Sequence, residues 1–194
     1  MHPSIPAKTV KEFIDIAKKR PGQLLFSSSG TGTSIHLAGE LFKSMAKVDM
    51  VHVPYKGAGA AVVDLVAGQV QLQFASIPTA LPFIKQGRLR ALGVTTLKRS
   101  ALYPEIPTIA EAALPGYEMA NWVGLVAPAQ TPPDIVNKMN ADLTRWIALP
   151  ETKKKLIELG VDPGGGSPQS FADTIASGYA LMGKVIQAAG IRVE

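Results

Sequence analysis

Cysteine is absent from the 194 residues. That removes thiol catalysis, cysteine-ligated zinc and disulfides, and leaves the redox compartment open. Aromatic residues are scarce, at 6%, whereas a nucleic-acid face needs a basic stripe with interleaved aromatics. The formal charge of +5 is scattered, and the run Lys153-Lys154-Lys155 has Glu151 and Glu158 beside it. Nucleic acid is therefore not an expected partner. No apolar run approaches the length that spans a bilayer. The opening stretch, Met1 to Phe13, lacks the apolar region and small-residue cleavage site of a secretory signal. His2, His36 and His52 are scattered, with no acidic cluster at ligand spacing, so neither a metal nor a cofactor is expected. What is present, 46% hydrophobic and 18% charged residues, suits an ordinary globular chain of one large domain or two small lobes.

Strand-like runs alternate with helical patterns. Thr9 to Lys19 predicts a helix, with Val10, Phe13, Ile14 and Ala17 on one face. Leu24 to Ser27 predicts a buried strand. A helix capped by Thr33 or Ser34 follows, with the stripe Ala38, Leu41, Phe42 and Met45. Asp49 to Tyr55 reads as a second strand, buried at Met50 and Val51, with His52 on the face opposite Val51 and Val53. A turn at Lys56 to Gly59 leads to a short helix that Gly68 ends. Val70 to Phe74 reads as a strand with Gln71 and Gln73 outward. Pro78 and Pro82 bracket a short helix, and Leu89 to Thr95 is a further strand. Such alternation predicts an α/β fold with a parallel sheet covered on both faces. After Ser100 prolines crowd the chain, Thr108 to Ala113 forms a short helix, and Tyr117 to Ala127 is extended. The remainder is helical: Pro132 to Leu149 with the stripe Ile135 or Val136, Met139, Leu143, Trp146, then Glu151 to Leu159 and Pro168 to Ala189.

The stretch Leu24 to Leu37 is the most informative. A strand breaks into Ser28, Ser29, Gly30, Thr31, Gly32 and Thr33 and feeds straight into a helix, aiming backbone N–H groups and a positive helix end at one spot. The run lacks the lysine of a nucleotide-hydrolase loop and the third glycine of a dinucleotide fingerprint. Two readings stay open: a cradle for a small oxyanion, or a glycine-rich turn that packs tightly. His36, in the first turn, is expected to be neutral there, as a donor to a ligand or as a buried, satisfied histidine. A serine nucleophile would want a G-x-S-x-G elbow and an acid to orient its histidine, and only Glu40 is within a turn of His36. Enzyme is the weaker reading. Tyr55 and the Phe74-Ala75 pair end strands on the same sheet edge, where open parallel sheets bind ligands; Tyr55 and Phe74 are candidates for an apolar wall or for plain core.

Taken together, Ser28-x-Gly30-x-Gly32-Thr33-x-x-His36-Leu-Ala-Gly-Glu-Leu-Phe42, His52-Val-Pro-Tyr-Lys-Gly57, Leu89-Arg-Ala-Leu92, Pro107-Thr-Ile-Ala-Glu111, Leu114-Pro-Gly-Tyr117 and Trp122-x-Gly124-Leu-x-Ala127-Pro128 resemble the Bug family, the solute-binding proteins of tripartite tricarboxylate transporters. The likeness runs from about Pro6 to Gly190. It implies a type II periplasmic binding fold with two lobes closing on a small carboxylate, no catalysis, periplasmic location and membrane components of a transporter as partners. It implies that residues 1–120 are the second lobe. Residues 121–194 would then be the interlobe crossing and helical C-terminal part of the first lobe, whose N-terminal part, with its ligand loop and export signal, is missing. Where the family commonly has Asp, this chain has Ala75, which points to a substrate without an amine or to a lost site. The rival expectation is a truncated, non-binding remnant that dimerises through its orphaned helices.

Overall fold

The computed structural model describes residues 1–100 and 103–191. They form two compact units, one comprising Met1–Ala120 and the chain from Lys184 onward, the other Asn121–Gly183.

The first unit opens with α1 (Val10–Lys19), whose start is set by Thr9: its hydroxyl accepts the Glu12 N–H, and the expected face of Val10, Phe13, Ile14 and Ala17 is buried. Then come β1 (Leu25–Ser28), α2 (Ser34–Ala46), β2 (Val51–Pro54), α3 (Ala58–Val66), β3 (Leu72–Gln73), α4 (Ile77–Lys85) and α5 (Ile109–Ala112). The three strands are parallel, in the order β2-β1-β3. Because crossovers between parallel strands are right-handed, reversing direction at β1 sends successive helices to opposite faces. Side chains agree. Phe26 lies against Gly39 of α2, where a Cβ would overlap the Phe26 ring. Leu25 and Val53, one residue out of phase with Phe26 and His52, pack instead with Val62 and Leu65 of α3 and with Phe83 and Ile84 of α4. On the α2 side Phe42 collects Phe13, Phe74 and Tyr117, at ring-centroid distances of 6.1, 5.6 and 6.2 Å.

Several expectations are corrected. Val51 is 44% exposed while Met50 is buried, because β2 is an edge strand and its first residue hangs past the cover of α3. Gln73 is buried, paired in register with the buried Ser27 of the central strand. The buried face of α2 is His36, Leu37, Ala38, Gly39, Phe42 and Ala46; the close approach at Gly39 rotates the helix and leaves Leu41 and Met45 half-covered. Pro82 lies inside α4, which runs to Lys85, and the packing of Phe83 and Ile84 offsets the one helical hydrogen bond a proline forfeits. Leu89 to Thr95 is no strand: the segment makes a single bridge, Val94 to Thr108. Arg90 exchanges both backbone bonds with Met1 at 2.9 Å instead.

The second unit holds α6 (Pro133–Ala148), α7 (Pro150–Glu158) and the greater part of α8 (Pro168–Ala189). Trp122 meets Phe171 edge-on at 5.2 Å, and Asn140 donates to the Gly166 carbonyl. Among its described residues only Thr152 is buried. The expected α6 stripe is present, yet Ile135, Met139 and Trp146 are about half exposed.

Candidate functional site

The carboxyl ends of the three strands lie on one edge. The chain leaves β1 toward one face of the sheet and leaves β2 and β3 toward the other, the divergence that opens a crevice in α/β sheets. The three strand-end segments singled out in the sequence emerge here. The β1 loop and the β2 end are joined directly: the Tyr55 N–H donates to the Ser28 carbonyl at 3.0 Å, and Gly30 lies against the Tyr55 carbonyl.

Residues 28–33 are built from the inside. Ser28 is fully buried. Its hydroxyl donates to the Gly30 carbonyl at 2.9 Å, accepts the Gly30 N–H at 3.1 Å, and lies 2.6 Å from His52 Nε2. With the hydroxyl proton directed to Gly30, the proton of that last bond belongs on His52 Nε2. The Thr33 hydroxyl donates to the same Gly30 carbonyl at 2.8 Å and caps α2 by accepting the His36 N–H. Gly32 donates its N–H to His36 Nδ1 at 3.1 Å. Gly30 and Gly32 sit at φ 139° and 78°, backbone angles that favour glycine. What is left pointing away is a set of donors. The N–H groups of Ser29, Thr31, Ser34 and Ile35 have no acceptor among the described residues, and the last two are the first-turn donors of α2, where a helix attracts negative charge. Thr31 is exposed, and Ser29, Gly30, Gly32 and Thr33 are half-buried.

His36 is buried and its ring stacks on that of His52, centroids 3.7 Å apart and planes 13° apart. Burial is the main cause that lowers the His36 pKa, with Glu40 raising it and Lys43 lowering it further. His52 is lowered to about 4, by burial first and then by His36 and Lys43. Both rings are thus neutral near pH 7, as expected for His36. Its Nδ1 is an acceptor, so its proton sits on Nε2, 3.8 Å from Glu40 Oε1. No group of side chains suited to holding a metal ion occurs among the described residues.

The other sequence candidates fall as follows. Tyr55 is half-buried against the Val62 cluster. Its hydroxyl donates to Asp64 Oδ2 at 2.7 Å, and burial followed by that hydrogen bond raises its pKa to about 12. Phe74, half-buried, packs on Phe42, and Ala75 follows it, half-covered at the end of β3. His52 is the residue that sequence reasoning placed without giving it a part. What places it is the parallel pairing of Phe26 with His52 and Ser28 with Pro54, which sets the His52 ring on the side of Ser28 and α2 and which the sequence alone does not show.

Residues 1–191 match the family model described as "Tripartite tricarboxylate transporter family receptor". A Pseudomonas sp. (strain P51) protein, "UPF0065 protein in tcbD-tcbE intergenic region", is 44% identical over 171 residues, covering 88% of this chain and 51% of its own. An R. palustris protein solved with adipate has a TM-score of 0.86 at 39% identity, over 98% of this chain and 64% of that one. The periplasmic binding protein BugD has a TM-score of 0.78 at 26% identity, over 100% of this chain and 65% of that one. This chain therefore spans between half and two thirds of the length of these three relatives. It belongs to the family of tripartite tricarboxylate transporter receptors.

Proposed function

We propose that the chain supplies a carboxylate-binding face of a periplasmic solute-binding protein that serves a tripartite uptake system and catalyses no reaction. The observation that carries this reading is the set of outward N–H groups at Ser29, Thr31, Ser34 and Ile35, gathered at the positive end of α2 on the ligand edge of the sheet. A carboxylate accepts from such donors without a metal or a charged side chain. The similar R. palustris protein carries adipate, and the BugD likeness supports a periplasmic setting. In this reading residues 1–120 are the second lobe, residues from 121 onward return to the first, and Tyr55, Phe74 and Ala75 flank the ligand. Ser28 is fully buried with its hydroxyl engaged three ways, which speaks against a nucleophile.

Calorimetric titration with adipate, succinate, citrate and glutamate tests this. With one binding face, affinity is expected to be weak, a Kd of about 0.1–1 mM for the best dicarboxylate, and glutamate is expected to bind less well because Ala75 offers its amine nothing. No heat from any carboxylate would overturn the reading. A second reading, a dimer of non-binding chains, draws on the half-exposed Ile135, Met139 and Trp146 of α6, which a second copy would cover. Light scattering decides it, since a monomer at high concentration would end it.

A further inference from the structure

The stacked histidines do more than fill space beneath the loop. Between them they tie both glycines of the 28–33 segment to the body of the unit: His52 through the Ser28 hydroxyl to the two backbone groups of Gly30, and His36 directly to the Gly32 N–H. Each of these bonds engages a backbone group of the loop, while the neighbouring amides of Ser29 and Thr31 are left without an acceptor among the described residues. We propose that the His36–His52 pair is the positioning device of the anion loop, locking it when both rings are neutral and releasing it, with any bound carboxylate, when His36 takes up a proton. The clause on the carboxylate rests on the function proposed above; the locking of the loop does not.

The chemistry of release is specific to one atom. His36 Nδ1 accepts from Gly32; a proton placed on it sets a donor against a donor and ends the bond. A charge on either ring also faces its stacked neighbour at 3.7 Å, so the second ring cannot readily charge as well. The groups facing the pair are few. From α2 come Glu40, 3.8 Å from His36 Nε2, and Lys43, which holds Glu40 at 2.8 Å and stands over the Phe26 ring. From β1 come Phe26 and Ser28, which carry no charge. Because Glu40 is already paired with Lys43, it offers a new imidazolium little compensation.

The test uses the whole 194-residue chain labelled with 15N. Gly32 and Gly30 amide signals and the imidazole nitrogens are followed from about pH 8 to about pH 4.5, the range in which lowered histidines titrate. The expected result is that the Gly32 amide moves with the His36 ring, and that Ser29 and Thr31 broaden or shift with it. His36→Asn offers a side-chain oxygen near the Nδ1 position and cannot titrate, so its Gly32 amide is expected to stay still across the range. Titration with adipate then compares affinities. Wild type is expected to lose about fivefold more affinity than His36→Asn on acidification, the worth of one neutral hydrogen bond; both share the ligand's own protonation, which the comparison cancels. Should His36→Asn not fold, the wild-type titration decides alone, through whether the Gly32 amide moves with the His36 ring nitrogens. A Gly32 amide that ignores the His36 titration, or a non-titrating variant with the wild-type pH profile, would overturn the proposal. If the amide follows the ring but adipate binds at no pH, the locking is supported and the carboxylate reading fails.

Discussion

In Met1–Ala120 the rings of Phe13, Phe26 and Tyr117 are sealed from solvent, whereas in Asn121–Gly183 Trp122, Trp146 and Tyr179 are 40%, 53% and 83% exposed. Both units contain amphipathic helices of ordinary length. The difference lies in what those helices have to lie against. α2 and α3 each cover one face of a sheet, and each buries three or more apolar residues; α6, with its own regular stripe, buries none. An amphipathic pattern states that a face wants cover, and only a partner element supplies it.

The comparison breaks most sharply at two glycines. Gly39 of α2 has the Phe26 ring where a Cβ would go, while Gly183 of α8 has open space around it. Gly39→Ala is expected to cost about 3 kcal/mol, through the strain of an overfilled contact, and Gly183→Ala to gain about 0.5–1 kcal/mol from helix propensity. Urea denaturation measures both, and equal effects would mean the two units are packed alike. Next in size is acid. His36 and His52 are held below the ordinary histidine value of 6.5, His52 at about 4, so the unfolded chain binds more protons than the folded one between those limits. Their contribution is therefore complete above pH 6.5 and is lost as pH falls toward 4, on the order of 1–2 kcal/mol. Thermal melts at stepped pH should show it, and His52→Gln should flatten the slope. Tyr117→Phe, which removes the buried bond to the Ala38 carbonyl, is expected to cost about 1 kcal/mol by the same denaturation assay. Smallest is Trp146→Ser in the second unit: a change within about 0.5 kcal/mol, accompanied by higher solubility in a precipitation assay.

Local signals were the most legible in the sequence. The cap at Thr33, one of the two candidates there, and the face of α1 follow from spacing, and so does the alternation that makes the fold α/β, because each depends on neighbours within a turn or two. Features that depend on distant partners were not legible in that way. Val51 is exposed because it starts an edge strand, and Gln73 is buried where it pairs with Ser27 of the central strand. Leu89 to Thr95 has the composition of a strand but finds one bridge. At the candidate site, the glycine loop and the helix behind it were readable, and so was the neutrality of His36. The Ser28–His52 bond was not, since it needs the register of β1 against β2, a pairing 24 residues apart in the chain.

The contact between Gly39 and Phe26 has one more consequence. A single missing methyl lets the helix axis ride close over the strand, and so sets the height at which the helix's leading amides stand above the sheet edge. The six residues of the loop are cut to that height. Height of the 28–33 loop is thus gauged from its far side, five residues along the helix from Ser34, by a packing contact outside the loop. Exchanging ring size for glycine at that one touching point would move the loop with every one of its residues left as it is.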